Sequence, residues 1–270
     1  MFKIALDAGH GLKTAGKRCM KKIDPAETRE WVLNDRICDK IMAKLEARYE
    51  GFDILRVDDP TGAKDISLSK RCKAANNYKA NIYLSIHHNA GVKGGKGGGI
   101  VVYTWKKPNA ELQEWQKMFY NALIAKTGLK GNRSTPLGKA SFTVLTNTNM
   151  QAILVENGFM DSTTDVPIIL TDAFADKAAE AYVEVLAKIG KLTKKKVETK
   201  QPAKSYTVRV TISNLNIRTG PGTNYAKTGK KTGKGVFTIV AEQSGKGATK
   251  GWGKLKSGMG WISLDYCTKL

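Results

Sequence analysis

The sequence predicts an α/β domain, with a mostly parallel twisted sheet flanked by helices, followed by a linker and a small all-β barrel. Over residues 2–189, apolar strand-like runs alternate with amphipathic helical segments, which is the pattern of an α/β layer fold. Residues 190–204 hold six lysines, one proline and no sizeable apolar cluster, a composition typical of a linker. Residues 205–270 contain short strand-like runs between glycine-rich turns. We therefore expect domains at 1–190 and 205–270, joined by a linker at 191–204.

Six apolar runs in the first domain are predicted to be strands. The run NIYLSI shows little alternation of apolar and polar residues, as expected for a parallel strand that is buried on both faces. The predicted strands cover residues 2–6, 52–57, 81–86, 99–104, 142–146 and 152–155.

The first long helix is predicted to begin near Asp24 and to run to about Tyr49. Asp24 is a suitable N-cap, Pro25 occupies the first helical position, and Glu27 completes a capping box. Apolar side chains four residues apart form one stripe along this helix, at Leu33, Ile37, Ile41 and Leu45. Further helices are expected after Ser67, over 111–126 and over 173–189.

The net charge indicates an anionic partner. The chain of 270 residues has 45 lysines and arginines against 24 acidic residues, a formal net charge of +21. Residues 205–270 alone hold eleven basic residues against Glu242 and Asp265, a net charge of +9. Nucleic acid, acidic lipid and an anionic wall polymer all remain open on charge alone.

The sequence shows no pattern typical of a membrane span, a secretory signal peptide or a cysteine-based site. No apolar run reaches the length of about 18 residues that a membrane span needs, so no membrane insertion is expected. The first residues lack the apolar core and cleavage site of a secretory signal, so we expect synthesis in the cytoplasm without a signal peptide. The four cysteines form no CxxC pair, which argues against a structural zinc site and a disulfide framework.

All three histidines follow predicted strands. His10 comes after the first strand, and His87 and His88 come after the strand at 81–86. Ligands of parallel α/β sheets bind beyond the carboxyl ends of the strands, so these positions favour a shared site over unrelated structural histidines. Two histidines, one glutamate and a water form a known catalytic zinc set.

Two glutamates are candidates for such a site. On a helical wheel Glu30 falls near the middle of the buried stripe, and Glu27 falls near its edge. A buried carboxylate is costly unless it is paired or binds a metal, so Glu30 is the candidate ligand; a partly exposed first-turn glutamate is the alternative. Glu156 ends the strand at 152–155 and is placed to act as a general base, or else to cap the following turn.

Four separated motifs resemble those of the zinc-dependent N-acetylmuramoyl-L-alanine amidases of the type 3 family, over about residues 2–189. They are LDAGHG at 6–11, Glu30 with Asn34, LSIHHNA at 84–90 and LVENGFMD at 154–161. The resemblance implies that His10, Glu30 and His87 bind one Zn²⁺ and that Glu156 is catalytic. His88 would point to the other face of its strand. Gln151 departs from the proline that relatives often have before this last strand.

The C-terminal segments 213–235 and 250–266 resemble a bacterial SH3-like domain, which implies binding to the cell wall. Tyr225, Trp252 and Trp261 are candidates for a ligand groove, with core packing as the alternative.

The two resemblances together imply a peptidoglycan hydrolase that cleaves the amide bond between N-acetylmuramic acid and L-alanine. Its partners would be peptidoglycan and anionic wall polymers, and it would act on the Gram-positive wall after release, as an endolysin or an autolysin. The alternatives are an inactive wall-binding protein and a zinc peptidase acting within the stem peptide. A nucleic-acid binder is disfavoured because no recognition motif accompanies the charge. The oligomeric state stays open.

Overall fold

The protein forms two compact units. The computed structural model describes residues 1–195 and 205–270, and the boundary between the units follows Lys195. The first unit contains a six-stranded sheet with helices on both faces. Its elements are β1 (Phe2–Ala8), α1 (Glu30–Arg48), β2 (Tyr49–Glu50), β3 (Phe52–Arg56), α2 (Leu68–Tyr78), β4 (Ile82–Asn89), β5 (Ile100–Thr104), α3 (Ala110–Thr127), β6 (Leu137–Lys139), α4 (Thr143–Thr146), β7 (Gln151–Phe159), α5 (Val166–Ile169), α6 (Asp172–Ile189) and β8 (Thr193–Lys194).

The sheet is mixed, with the strand order β3-β1-β4-β7-β5-β6. Strands β3, β1, β4 and β7 run parallel, whereas β5 runs antiparallel to β7. The predicted α/β class is therefore confirmed, and the mostly parallel sheet contains one antiparallel pairing. The parallel strands matter for function because their carboxyl ends meet at one edge of the sheet.

Both faces of the central strands are buried. Leu6, Leu84 and Ile153 pack in a core with α1, α3 and α6 on one face. Tyr83 and Leu154 pack on the other face, in a smaller core with α2 and α4. Burial on both faces explains why the strand run at 81–86 shows so little alternation.

The predicted start of the first helix at Asp24 is wrong. The Asp24 carboxylate instead accepts hydrogen bonds from the backbone N–H groups of Ala26 (3.2 Å) and Thr28 (2.7 Å), closing a turn. Glu27 has a left-handed backbone, with φ of 50°, which a helix does not tolerate. The side chain that would cap a helix is therefore used by a local turn, and α1 begins at Glu30.

The predicted strand at 142–146 is also wrong, because this segment holds the single helical turn α4. Val144 and Leu145 are buried in the small core together with Cys72 and Ala75 of α2. A short apolar run is equally compatible with a strand and a buried helix, and its packing against α2 decides between them here.

Over residues 205–270, the regular secondary structure of the second unit is β-strand, apart from one 3₁₀ turn, Leu264–Tyr266. Its antiparallel sheet has the order β11-β10-β14-β13-β12-β9-β15 and encloses a core that includes Ile217, Ile239 and Ile262. The strands are β9 (Tyr206–Val210), β10 (Asn216–Arg218), β11 (Lys227–Lys231), β12 (Gly235–Gln243), β13 (Trp252–Leu255), β14 (Trp261–Ser263) and β15 (Cys267–Lys269). The expected all-β composition is confirmed.

The predicted linker at 191–204 is described only as far as Lys195. Within that stretch β8 pairs with β2, so the first unit continues past residue 190. Residues 196–204 lie outside the described residues. Across the described parts of the chain, we find no helix whose length and apolar character suffice for crossing a membrane.

Candidate functional site

The predicted site residues converge at the carboxyl edge of the sheet. His10 follows β1, His87 lies near the end of β4, and β1 and β4 are neighbours. Glu156 lies on β7 directly opposite His87, so the two side chains share a face of the sheet. Glu30 reaches the same edge from the first residue of α1.

His10 is held in an uncommon backbone conformation, with φ of 70°. A non-glycine residue in this left-handed region is strained by about 1–3 kcal/mol unless its surroundings hold it there. Here the buried guanidinium of Arg71 donates hydrogen bonds to the carbonyl oxygens of Ala8 and His10, both at 2.8 Å. Arg71 thereby fixes the turn that presents the His10 imidazole.

Glu30 is the centre of the cluster and is only 1% exposed. Its Oε1 lies 3.1 Å from His87 Nδ1, and its Oε2 lies 3.4 Å from His10 Nε2. Burial by itself raises the pKa of Glu30, but the hydrogen bond and charge of His87 and the charges of His10 and Lys17 outweigh it and lower the pKa to about 2. The carboxylate is therefore ionised at neutral pH.

The cluster fits a zinc ion. One ligand atom from each of His10, Glu30 and His87 lies within 4.8 Å of the other two. Tetrahedral zinc with bonds of about 2.0–2.2 Å holds its ligands roughly 3.4 Å apart. The separation between Glu30 Oε2 and His10 Nε2 is 3.4 Å. Among the described residues, Glu30 Oε2 is buried without a hydrogen-bond partner, although Lys17 Nζ lies 3.9 Å away. A metal would satisfy that oxygen.

Glu156, His10 and His87 border one cavity of about 420 Å³, together with Lys17. Leu68 and Phe142, which are 51% and 41% exposed, form an apolar wall beside it. Burial, with a further contribution from the charge of Glu30, raises the pKa of Glu156 to about 7, although His87 and Lys17 act in the opposite direction. Within the described parts of the chain, no hydrogen bond reaches the buried Glu156 Oε2.

His88 faces away from this cluster, as the strand alternation predicts. Its Nδ1 lies 2.8 Å from Asn34 Oδ1 on α1, and the Asn34 amide donates to the carbonyl oxygen of Gly9 at 3.1 Å. The third histidine therefore supports the chain just before His10 from the opposite face of the sheet.

Arg71 and Asp7 support the site in a way that was not predicted from the sequence. Asp7 is 1% exposed, and its carboxylate accepts hydrogen bonds from Arg71 (2.5 Å), Tyr83 (2.9 Å) and Ser85 (2.7 Å). The signal was present in the aspartate of LDAGHG, because a charge inside an apolar strand needs a partner. Its partner lies 64 residues away in the chain, and only the fold identifies it.

We expect Gly9→Ala to weaken zinc binding by roughly 10–100-fold, the usual effect of disturbing the support of a metal ligand. A methyl group at Gly9 would lie 2.1 Å from Cε1 of the His87 ring, so the ring must move. Competition with a coloured chelator measures the affinity. Gly97→Ala is the control, since the atom nearest to its new methyl group is Val92 Cγ1, at 3.1 Å, and not an atom of His87. Equal zinc affinity in both variants would contradict the prediction.

The first unit matches a known family and known folds. The family described as Amidase_3, N-acetylmuramoyl-L-alanine amidase, matches residues 4–188. The chain is 31% identical over 190 residues to the endolysin of Bacillus phage SPP1, covering 70% of this chain and 66% of that protein. It is 28% identical over 194 residues to the N-acetylmuramoyl-L-alanine amidase CwlM of Bacillus licheniformis, covering 72% and 71%.

A solved structure supports the fold independently. The catalytic domain of CwlV, an N-acetylmuramoyl-L-alanine amidase from Bacillus (Paenibacillus) polymyxa, superposes with a TM-score of 0.62 at 20% identity. The match covers 72% of this chain and 100% of that domain. The converging motifs, the shared fold and the family match over most of the first unit lead to one conclusion: the chain belongs to the N-acetylmuramoyl-L-alanine amidase family.

Proposed function

We propose that this protein is a zinc-dependent peptidoglycan hydrolase that cleaves the amide bond between N-acetylmuramic acid and the L-alanine of the stem peptide. The observation that carries the proposal is the convergence of His10, Glu30 and His87, with Glu156 on the cavity that the two histidines border. Family membership and the names of its relatives, an endolysin and an amidase, support the same reaction.

His10, Glu30 and His87 would hold the zinc ion through two imidazoles and one carboxylate, leaving room for water and substrate. When bound, the ion supplies a Lewis acid that makes water acidic and polarises a carbonyl group. Glu30 contributes a negative charge that stays ionised, because its pKa is lowered to about 2. Arg71 is a positioning residue, since it holds the backbone that presents His10.

Glu156 would move the proton in this reaction. Its carboxylate takes a proton from the attacking water, whose oxygen bonds to the lactyl carbonyl carbon, and then delivers that proton to the departing nitrogen of L-alanine. The C–N bond breaks, and the products are a lactyl carboxylate on an intact glycan and a free stem peptide. Glu156 suits this role because it shares the cavity and the sheet face with His87.

The second unit would serve as the wall-binding part, an SH3-like domain over residues 205–270, tethered to a catalytic domain whose described residues run to Lys195. Its net charge of +9 suits anionic wall polymers. On β11, Lys227, Lys230 and Lys231 are exposed. Trp252 is buried and belongs to the packed interior, whereas Tyr225 is 43% exposed and stays available to a ligand. Such a chain would act on Gram-positive walls as an endolysin or autolysin.

Removal of the metal tests the proposal. Purified wall treated with the full chain should release peptides that begin with L-alanine from an intact glycan. A strong chelator should stop the release and added Zn²⁺ should restore it, because the three clustered groups otherwise lack their ion. Mass spectrometry of the fragments identifies the bond. Peptides cut within the stem would indicate a zinc peptidase, and wall binding without any release would indicate an inactive binding protein; either result contradicts the proposal.

A further inference from the structure

A second cavity, of about 720 Å³, lies at the opposite edge of the sheet in the first unit. Asn81, just before β4, and Gln151, the first residue of β7, border it. Gln151 and Glu156 are five residues apart on one strand, about 16 Å. The cavity is therefore separate from the candidate active site.

The lining of this cavity is neutral and polar, with one exposed aromatic ring. Trp105 is 39% exposed and borders the cavity. Among the described residues that line it, none carries a charge, although lysine and arginine make up 45 of the 270 residues of the chain. Amide and hydroxyl side chains supply the hydrogen-bonding groups, from Asn81, Asn109, Thr146, Thr148, Asn149 and Gln151.

Hydrogen bonds hold several of these polar groups in place. The Gln151 amide donates to Asn109 Oδ1 at 3.2 Å and to Glu111 Oε2 at 3.0 Å. Asn109 Oδ1 also caps α3 by accepting from the Leu112 N–H at 2.8 Å. Asn81 Oδ1 accepts from a backbone N–H of β1 at 2.7 Å, which leaves its NH₂ group as the donor for a ligand. The site is thus organised before anything binds.

The short helix α4 separates this cavity from the candidate active site. Thr143 and Val144 line the active-site cavity, whereas Leu145 and Thr146 line the second cavity. A polymer lying across α4 would contact both cavities at once, whereas a small molecule would occupy only one.

We propose that the second cavity is a binding site for a neutral glycan segment built of N-acetylhexosamines. A pyranose ring offers an apolar C–H face to Trp105 and hydroxyl and acetamido groups to the amide side chains. The described residues that line the cavity carry no charge, so the cavity is a poor match for anionic wall polymers. The basic second unit is the better match for those polymers. The inference rests on the proposed function for the source of the ligand, the glycan strand of peptidoglycan.

Titration of the full chain with chitotetraose, four β-1,4-linked N-acetylglucosamines, tests the site by calorimetry. Trp105→Ala and Asn149→Ala should each weaken binding by about tenfold, the loss expected for one aromatic or hydrogen-bonding contact. Trp105→Phe should restore part of the affinity because it keeps an aromatic face. Ile168→Ala, which removes another exposed apolar side chain outside the cavity, should bind as the parent does.

A second readout uses the natural polymer. The ratio of the hydrolysis rate on intact wall to that on a short soluble muramoyl peptide should fall several-fold in Trp105→Ala, because only the polymer spans both cavities. Failure of the parent to bind chitotetraose, or equal binding by parent and Trp105→Ala, would overturn the glycan site. Chitotetraose contains no peptide, so its binding does not require amide hydrolysis. If the full chain hydrolysed no wall but still bound chitotetraose through Trp105, the proposed function would be overturned and the glycan site would be supported.

Discussion

Replacement of Glu156 by glutamine is expected to reduce peptide release from purified wall by at least about a hundredfold, while zinc content and folding stay as in the parent. General acid–base groups typically contribute 10²–10⁴-fold to rate, and glutamine keeps the shape of the side chain but cannot take a proton. Glu156 is not among the three clustered residues that we propose as ligands, so the variant should still bind one Zn²⁺. Release of free amino groups from the wall measures activity, and metal analysis measures zinc.

The matched control is Glu184→Gln, an exposed glutamate on α6 that pairs with Lys126 at 3.1 Å. An exposed pair of this kind contributes about 0–1 kcal/mol to stability, so this variant should keep both activity and fold. A Glu156→Gln chain that binds zinc and still releases peptide near the parental rate would remove Glu156 from the proton-transfer role.

Replacement of Arg71 by methionine should give the largest loss of stability, about 3–5 kcal/mol, because it leaves the Asp7 carboxylate buried without its countercharge. Burial by itself raises the pKa of Asp7, but the charge of Arg71, helped by His87 and by hydrogen bonds from Ser85 and Arg71, brings it below the usual value. The lowered pKa means that Asp7 stabilises the fold above about pH 4 and that this contribution disappears as the pH falls through the folded-state pKa.

Thermal unfolding of the full chain, followed through the transition of the first unit, measures this effect, and a fall of about 10 °C is expected. Asp7→Asn combined with Arg71→Met should recover part of the loss, since the uncompensated charge is then gone. The control is Arg48→Met, which breaks the surface ion pair with Glu180 and should cost at most about 1 kcal/mol. An Arg71→Met variant as stable as Arg48→Met would show that the Asp7–Arg71 pair does not hold this edge of the sheet.

The sequence was a good guide wherever a local pattern agrees with the final packing. The helix expected over 173–189 is observed as Asp172–Ile189, because its apolar stripe faces the main core. The strand at 81–86 is extended in the structure to Asn89, so that His87 lies within β4. The pattern failed at Asp24, because a hydrogen bond within a turn outweighs the local helix propensity. It also failed at 142–146, because packing against α2 outweighs the local strand propensity. Strand β6 was not predicted, since its residues, Leu137–Lys139, lack apolar alternation.

By itself, the sequence determined the alternation of strands and helices, the all-β character of the second unit and the identities of His10, Glu30, His87 and Glu156. The strand and helix pattern depends on local periodicity, and the candidate residues depend on rare residue types at strand ends. The choice of His87 over His88 depends on the resemblance to the amidase motifs. Only the tertiary structure decided that the three clustered groups meet within 4.8 Å, that Arg71 supports the backbone of His10, and that a neutral cavity lies beyond α4. Such contacts join residues far apart in the chain, and their distances follow from strand order and register rather than from any local pattern.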